Sequence, residues 1–97
     1  MPVSTTIGLL SLELYLAGAR SLKDKRAVLR RLKDRLKRQN IAIAEVAHHE
    51  LRQRAELAVV TVGVDQDIAE HTFDTVIAEV DRLEPGLLLR SDREWLT

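Results

Sequence analysis

The sequence predicts an α+β domain of the ferredoxin-like class, in which a four-stranded antiparallel sheet carries two helices on one face. Two observations predict this class. Four segments have the apolar patterns of strands, and two segments between them repeat apolar residues at helical spacing, in the order β-α-β-β-α-β. Each helix follows a strand, so right-handed crossovers place both helices on the same face. Residues 1–97 are expected to form a single domain.

The first half of the chain supplies two strands and a helix. Leucines alternate with other side chains over Ile7–Leu16, and this period of two predicts the first strand. Ser21 begins an S-L-K-D run in which its hydroxyl can cap a helix, with Asp24 at the third helical position. This helix is expected to end near Gln39-Asn40, and Ile41–Ala47 then forms the second strand. The apolar residues at helical spacing are Leu22, Val28, Leu29, Leu32 and Leu36.

The second half of the chain completes the sheet. Arg54–Val64 is apolar on both faces and follows the second strand through a polar hairpin loop. Asp65 or Asp67 begins the second helix, which ends at Glu84-Pro85-Gly86. Leu87–Trp95 is the last strand. The apolar stripe of the second helix consists of Phe73, Val76, Val80 and Leu83.

Composition excludes several classes of protein. Apolar residues make up 45% and charged residues 31%, which is not the composition of a disordered chain. There is no cysteine, so disulfides and thiol chemistry are excluded. No apolar run approaches the roughly 20 residues that span a bilayer. Because Met1–Thr6 also lacks the basic and apolar regions of a signal peptide, we expect a cytoplasmic protein with no membrane contact.

Charge is unevenly distributed in a chain whose net charge is zero. Arg20–Arg38 holds ten basic and two acidic residues, a charge of +8, and the remainder carries −8. At 100° per residue, five of these cations fall within an arc of about 80°. Such a stripe can bind phosphates, which predicts RNA or the ribosome as a partner. The alternative is a solvated face paired with acidic residues of the second helix. The stripe consists of Lys23, Arg26, Arg30, Lys33 and Lys37.

A second candidate site lies at one end of the predicted sheet. The topology brings together the end of the first strand, the start of the first helix, the end of the second strand and the start of the third. Lys25 falls within the apolar arc of its helix, and its ammonium needs Glu45 or Glu56 as a partner. A small-ligand or phosphate site and a structural ion-pair network are both compatible with this polar end cluster. Its members are Ser21, Lys25, Glu45, Gln53, Arg54 and Glu56.

The sheet face without helices is predicted to bind a second copy of the chain. The first and third strands carry apolar residues on both faces, and two helices can cover only one of them. Burial of the other face in a homodimer is the simplest solution.

No catalytic constellation is apparent, and the sequence therefore predicts a protein that is not an enzyme and needs no cofactor or metal. The adjacent pair His48-His49 points in opposite directions in a strand or turn, and no third ligand stands at a known spacing. The four glycines are scattered, so no loop is built to cradle phosphate.

Three strings resemble the YlxP-like family, a bacterial domain of unknown function. They are Ser21–Arg26 (SLKDKR), Ala44–Val46 (AEV) and Gln53–Leu57 (QRAEL), and the resemblance extends over residues 7–83. It implies a ferredoxin-like fold. Genes of this family often lie among those for translation and ribosome maturation, which again implies an RNA or ribosome partner. We therefore expect a non-enzymatic binding domain that uses its first helix. The alternative is a homodimeric small-ligand-binding or structural interaction protein.

Overall fold

The computed structural model describes residues 4–97, and its elements follow the predicted order. Each predicted strand boundary agrees to within one residue, whereas the first helix ends at Leu36, before Gln39. Part of the N-terminal stretch that lacks a signal-peptide pattern, residues 1–3, lies outside the described residues. The elements are β1 (Thr6–Tyr15), α1 (Leu22–Leu36), β2 (Ala42–Ala47), β3 (Arg54–Gly63), α2 (Gln66–Leu83) and β4 (Leu88–Trp95).

The four strands form one antiparallel sheet in the order β2-β3-β1-β4, which confirms the ferredoxin-like topology. The long strands β1 and β3 lie at the centre and pair along their whole length, from Thr6 opposite Gly63 to Tyr15 opposite Arg54. Strands β2 and β4 are the two edges. Within residues 4–97, no helix is long and apolar enough to cross a membrane.

The alternation predicted for β1 and β3 separates a buried face from an open one. One face packs under the helices and is fully buried, whereas Val60 and Val62 on the other are 37% and 52% exposed. This open face also carries the half-buried Ile7 and Leu9. The core consists mainly of Leu10, Leu12, Leu14, Leu57 and Val59 from the sheet, and Leu29, Leu32, Leu36, Phe73, Val76 and Val80 from the helices.

Side-chain caps set the start of each helix. The Ser21 hydroxyl accepts a hydrogen bond from the Asp24 amide at 3.0 Å, and the Asp24 carboxylate accepts one from the Arg20 amide at 2.9 Å. In α2 the cap is Asp65, whose carboxylate accepts from the Ile68 amide at 2.9 Å, while Asp67 lies in the first turn. Both caps satisfy amides that the first helical turn leaves without partners.

A tight turn reverses the chain between α2 and β4. The Leu87 amide donates to the Glu84 carbonyl at 3.1 Å, and Gly86 has a φ of 82°. Pro85 followed by a residue with positive φ is the signature of a type II turn, in which glycine is favoured. The predicted helix end at Glu84-Pro85-Gly86 thus terminates α2 and also reverses the chain so that β4 pairs with β1.

Candidate functional site

The basic stripe of α1 lies on the flank of the helix that faces the β2 edge of the sheet. All five of its side chains are exposed: Lys23, Arg26, Arg30, Lys33 and Lys37. Between the stripe and the edge lies a groove of about 270 Å³, lined by Arg26, Leu29, Arg30, Lys33 and Glu45. The structure thus places the predicted cations in one row beside an edge strand.

The opposite flank of α1 faces α2 and takes a different partner. Arg35 contacts the Glu79 carboxylate on α2 at 3.3 Å, and Arg82 approaches the same carboxylate at 3.1 Å. None of the five stripe residues forms an ion pair with any residue from Ser4 to Thr97. The acidic residues of α2 therefore leave the stripe uncompensated.

Lys25 is the most buried charged residue of the described chain, at 1% exposure. Its ammonium lies 2.8 Å from a carboxylate oxygen of Glu45, so of the two expected partners Glu45 is the one used. It is also within 2.9 Å of the His48 carbonyl, 3.3 Å of the His49 carbonyl and 3.2 Å of the Arg54 carbonyl. Four acceptors surround three N–H donors, which satisfies a charge that would otherwise be costly to bury.

The hairpin between β2 and β3 supplies two of these acceptors. His48 has a φ of 64°, a left-handed conformation that histidine adopts more readily than most residues. The Leu51 amide closes the turn by donating to the His48 carbonyl at 3.0 Å. A ring nitrogen of His49 lies 3.0 Å from the Glu45 carbonyl. Lys25 therefore anchors the hairpin to the start of α1.

The sheet divides the predicted polar end cluster into two groups. Lys25 and Glu45 meet on the helix side, and Ser21 caps α1. The side chains of Arg54 and Glu56 belong to the open face, because Ala55 and Leu57 between and beside them point into the core. Gln53 donates to the Ala17 carbonyl at 3.2 Å and ties the hairpin to the loop after β1. The side chains of Gln53, Arg54 and Glu56 therefore form no hydrogen bond with the Lys25 ammonium.

Sequence reasoning did not single out Glu13, which organises the open-face group. Its carboxylate lies 3.0 Å from the Arg54 guanidinium and 3.9 Å from a ring nitrogen of His48. The same guanidinium sits 5.9 Å from the centroid of the Tyr15 ring. A carboxylate at an outward position of an otherwise apolar strand was the available signal. Across residues 4–97, no group of three or more histidine, aspartate or glutamate side chains is placed to hold a metal ion.

Comparison with known proteins gives a family and a fold. The family model described as "Protein of unknown function (DUF503)" matches residues 7–93. The chain is 32% identical over 76 residues to the uncharacterized protein YlxP of Bacillus subtilis (strain 168), covering 77% of this chain and 83% of that protein.

Two solved structures share the fold at low sequence identity. The de novo designed protein Foldit4 is 12% identical with a TM-score of 0.58, covering 96% of this chain and 97% of that chain. SnoaB, a cofactor-independent oxygenase from Streptomyces nogalater, is 12% identical with a TM-score of 0.59, covering 95% and 92%. At such identities the likeness concerns the fold alone.

Proposed function

The chain belongs to the DUF503 family of proteins of unknown function, and from that premise we propose that it is a non-enzymatic domain that binds RNA phosphates through the basic stripe of α1. The observation that carries the proposal is the set of five exposed cations that find no ion-pair partner within residues 4–97. The predicted association with the ribosome and the predicted cytoplasmic location are part of the same proposal.

The spacing of the stripe suits a nucleic-acid backbone. Lys23 and Lys37 are fourteen residues apart, which corresponds to about 21 Å along a helix. The cations between them recur every three or four residues, or roughly every 5 Å, and each can therefore approach a different phosphate. Lysine and arginine contacts of this kind provide affinity without sequence preference.

The positions of the aromatic residues favour recognition of the backbone over stacking on bases. Phe73 is buried, and Trp95 stacks on it with ring centroids 5.7 Å apart. Tyr15 is exposed but lies on the open face under Arg54, on the other side of the sheet from the stripe. Single-stranded RNA is usually held by exposed aromatic platforms, so we expect a duplex to be the preferred ligand.

Charge reversal tests the proposal. A fluorescein-labelled RNA duplex is titrated with the wild type and with the triple variant Arg26→Glu, Lys33→Glu, Lys37→Glu, using fluorescence anisotropy. Five phosphate contacts predict a slope of about −4.5 for log K against log salt, a loss of roughly five-hundredfold between about 50 and 200 mM. The triple variant is expected to lose binding.

A matched control separates the stripe from net charge. The variant Arg31→Glu, Arg38→Glu, Arg52→Glu changes charge by the same amount at exposed positions outside the stripe. It is expected to retain most of the affinity. Equal losses in both variants, or unchanged binding in the first, would contradict the proposal. Co-sedimentation of the same proteins with bacterial ribosomes, with and without nuclease, tests the ribosomal partner.

The predicted homodimer through the open face is proposed alongside RNA binding, since apolar side chains remain exposed there. Val60 and Val62 are 37% and 52% exposed, and Ile7 and Leu9 lie next to them on β1. Light scattering at micromolar concentration should give twice the 11.0 kDa mass of the chain. A mass of one chain would show that this face is not a dimer interface.

The alternative small-ligand site at the polar end cluster has less support. The N–H groups of Lys25 are engaged by the protein itself, and Arg54 is paired with Glu13. It stays a prediction, and no observation on residues 4–97 favours a particular ligand.

A further inference from the structure

We propose that the free edge of β2 is a docking site for an extended peptide that alternates acidic and apolar residues, adding a fifth strand to the sheet. This goes beyond RNA binding, because it uses main-chain hydrogen bonds that a nucleic acid does not need. Three features meet at this edge: unpaired main-chain groups, a cationic groove on the helix side and apolar hollows on the open side.

The hydrogen bonds of the sheet show which main-chain groups of β3 point toward β2. The Leu16 amide donates to the Gln53 carbonyl at 2.8 Å, so odd-numbered residues of β3 direct their main-chain groups to β1. Even-numbered residues direct theirs to β2. The Asn40 side-chain amide confirms this, because it donates to the Val62 carbonyl at 2.7 Å from the β2 side.

The same alternation identifies the free groups of β2. Ala42 and Ala44 are opposite even-numbered residues of β3 and therefore bond to that strand. The N–H and C=O of Ile43 and the N–H of Glu45 consequently point away from the sheet. The Glu45 carbonyl is approached by the His49 ring at 3.0 Å, which closes the site at that end.

The composition of β2 leaves this edge open. Edge strands are commonly protected by lysine, proline, bulges or inward charges. The strand AIAEVA contains neither lysine nor proline. A bulge near Val46 and the inward-pointing Glu45 protect its last residues, whereas Ala42–Ala44 has no such protection.

The surfaces on the two sides of the β2 edge determine which side chains the added strand should carry. On the helix side, its alternate residues would lie in the groove under Arg26, Arg30 and Lys33, where carboxylates find uncompensated cations. The charge of Glu45 is already matched by Lys25. On the open side, the other residues would lie over two apolar hollows of about 210 and 170 Å³. The hollows are lined by Asn40, Ile41, Ala42, Val60 and Val62, and by Ala42, Ile43, Ala44, Ala58 and Val60.

Charge argues against a second copy of the chain as the occupant of this edge. Two β2 strands paired antiparallel would form a continuous sheet with both α1 helices on the same face. Each stripe points toward its own β2 edge, so the two rows of cations would face each other across the junction. A strand with acidic side chains would instead be attracted by these cations. A dimer through the open face leaves the edge amides free, but it would cover Val60 and Val62, which also line the hollows, so dimer and peptide would compete for these side chains.

The test uses a labelled octapeptide of alternating valine and glutamate, capped at both ends and titrated by anisotropy at up to roughly 100 µM. Two derivatives carry N-methyl groups either on every valine or on every glutamate. Only one set of amides can face β2, so one derivative is expected to bind like the parent and the other not at all. The variant Arg26→Glu, Arg30→Glu should weaken binding by roughly tenfold or more, and the control Arg31→Glu, Arg38→Glu should not.

Each other outcome overturns the proposal. Equal binding of both methylated peptides would mean that attraction of charge alone holds the peptide, as it would hold RNA. Loss of binding in both would mean that the parent binds as an aggregated sheet. No binding of the parent, in a protein that binds the RNA duplex, would leave the stripe to RNA and the edge without this function.

Discussion

The contacts of Lys25 make a quantitative prediction about stability. Lys25→Met preserves the length of the side chain but removes the ammonium from the Glu45 carboxylate and from three carbonyls, of which that of His48 keeps the Leu51 amide as a donor. Breaking a buried ion pair by removing one partner costs about 3–5 kcal/mol. The Glu45 side chain is 19% exposed and can regain some water, so we expect a loss near the lower end, about 3 kcal/mol. Urea denaturation followed by circular dichroism measures it.

A double-mutant cycle isolates the ion pair from the other contacts. Glu45→Met alone leaves the ammonium with carbonyl acceptors only, whereas Lys25→Met with Glu45→Met removes both charges together. The double variant should be more stable than the sum of the single losses predicts, by about 1–3 kcal/mol. Lys23→Met, an exposed lysine on the same helix, should change stability by no more than about 0.5 kcal/mol. A loss below about 1 kcal/mol for Lys25→Met would refute the reasoning.

The remaining predictions concern backbone positions. In Gly8→Ala the new Cβ would lie 2.6 Å from Cζ3 of Trp95, so overpacking should cost about 1–3 kcal/mol and shift the emission of this single tryptophan. Gly86→Ala meets no atoms but must keep a φ of 82°, so it should cost about 1–2 kcal/mol. Gly18→Ala, with open space and no such φ, is the control and should be neutral or slightly stabilising. Asp65→Ala removes the α2 cap and should cost about 1 kcal/mol. Thermal or urea unfolding measures all four variants, and equal losses at Gly18 and Gly86 would contradict the turn assignment.

The fold could be predicted from the sequence because its signals are local. The leucine alternation in β1 marks the buried face within a single strand, and the Ser21 cap needs only a residue three positions away. The sequence could not decide whether Asp65 or Asp67 caps α2, since aspartate is a favoured capping residue at either position. The structure decides it, because β3 ends at Gly63 and the connection to α2 is short.

The candidate sites were harder to predict, because they depend on the order of the strands in the sheet and on which face of the sheet each side chain occupies. Parity could have excluded Glu56 as the partner of Lys25, since Leu57 next to it points into the core. The groove beside β2 could not be foreseen, because it requires knowing that β2 is an edge strand and which flank of α1 faces it. The pairing of Arg54 with Glu13 likewise depends on a register between strands that are distant in the chain.

The cations of the stripe repel one another, which lowers the stability of the free protein, and this loss can be compared with their contribution to binding. Like charges three or four residues apart on a helix destabilise it by roughly 0.2–0.5 kcal/mol for each pair. Arg30 is repelled by such neighbours in Arg26 and Lys33 and attracted by Asp34, four residues later on the same helix, although none of the three cations forms an ion pair within residues 4–97. Arg30→Glu converts both repulsions into attractions and the attraction of Asp34 into a repulsion. The net gain is that of one reversed pair, so we expect the free protein to gain about 0.5–1 kcal/mol in urea denaturation while its affinity for the RNA duplex and the acidic peptide falls. Stability and binding moving in opposite directions would indicate that these cations are placed for an anionic partner. A variant that loses stability would show instead that Arg30 supports the fold.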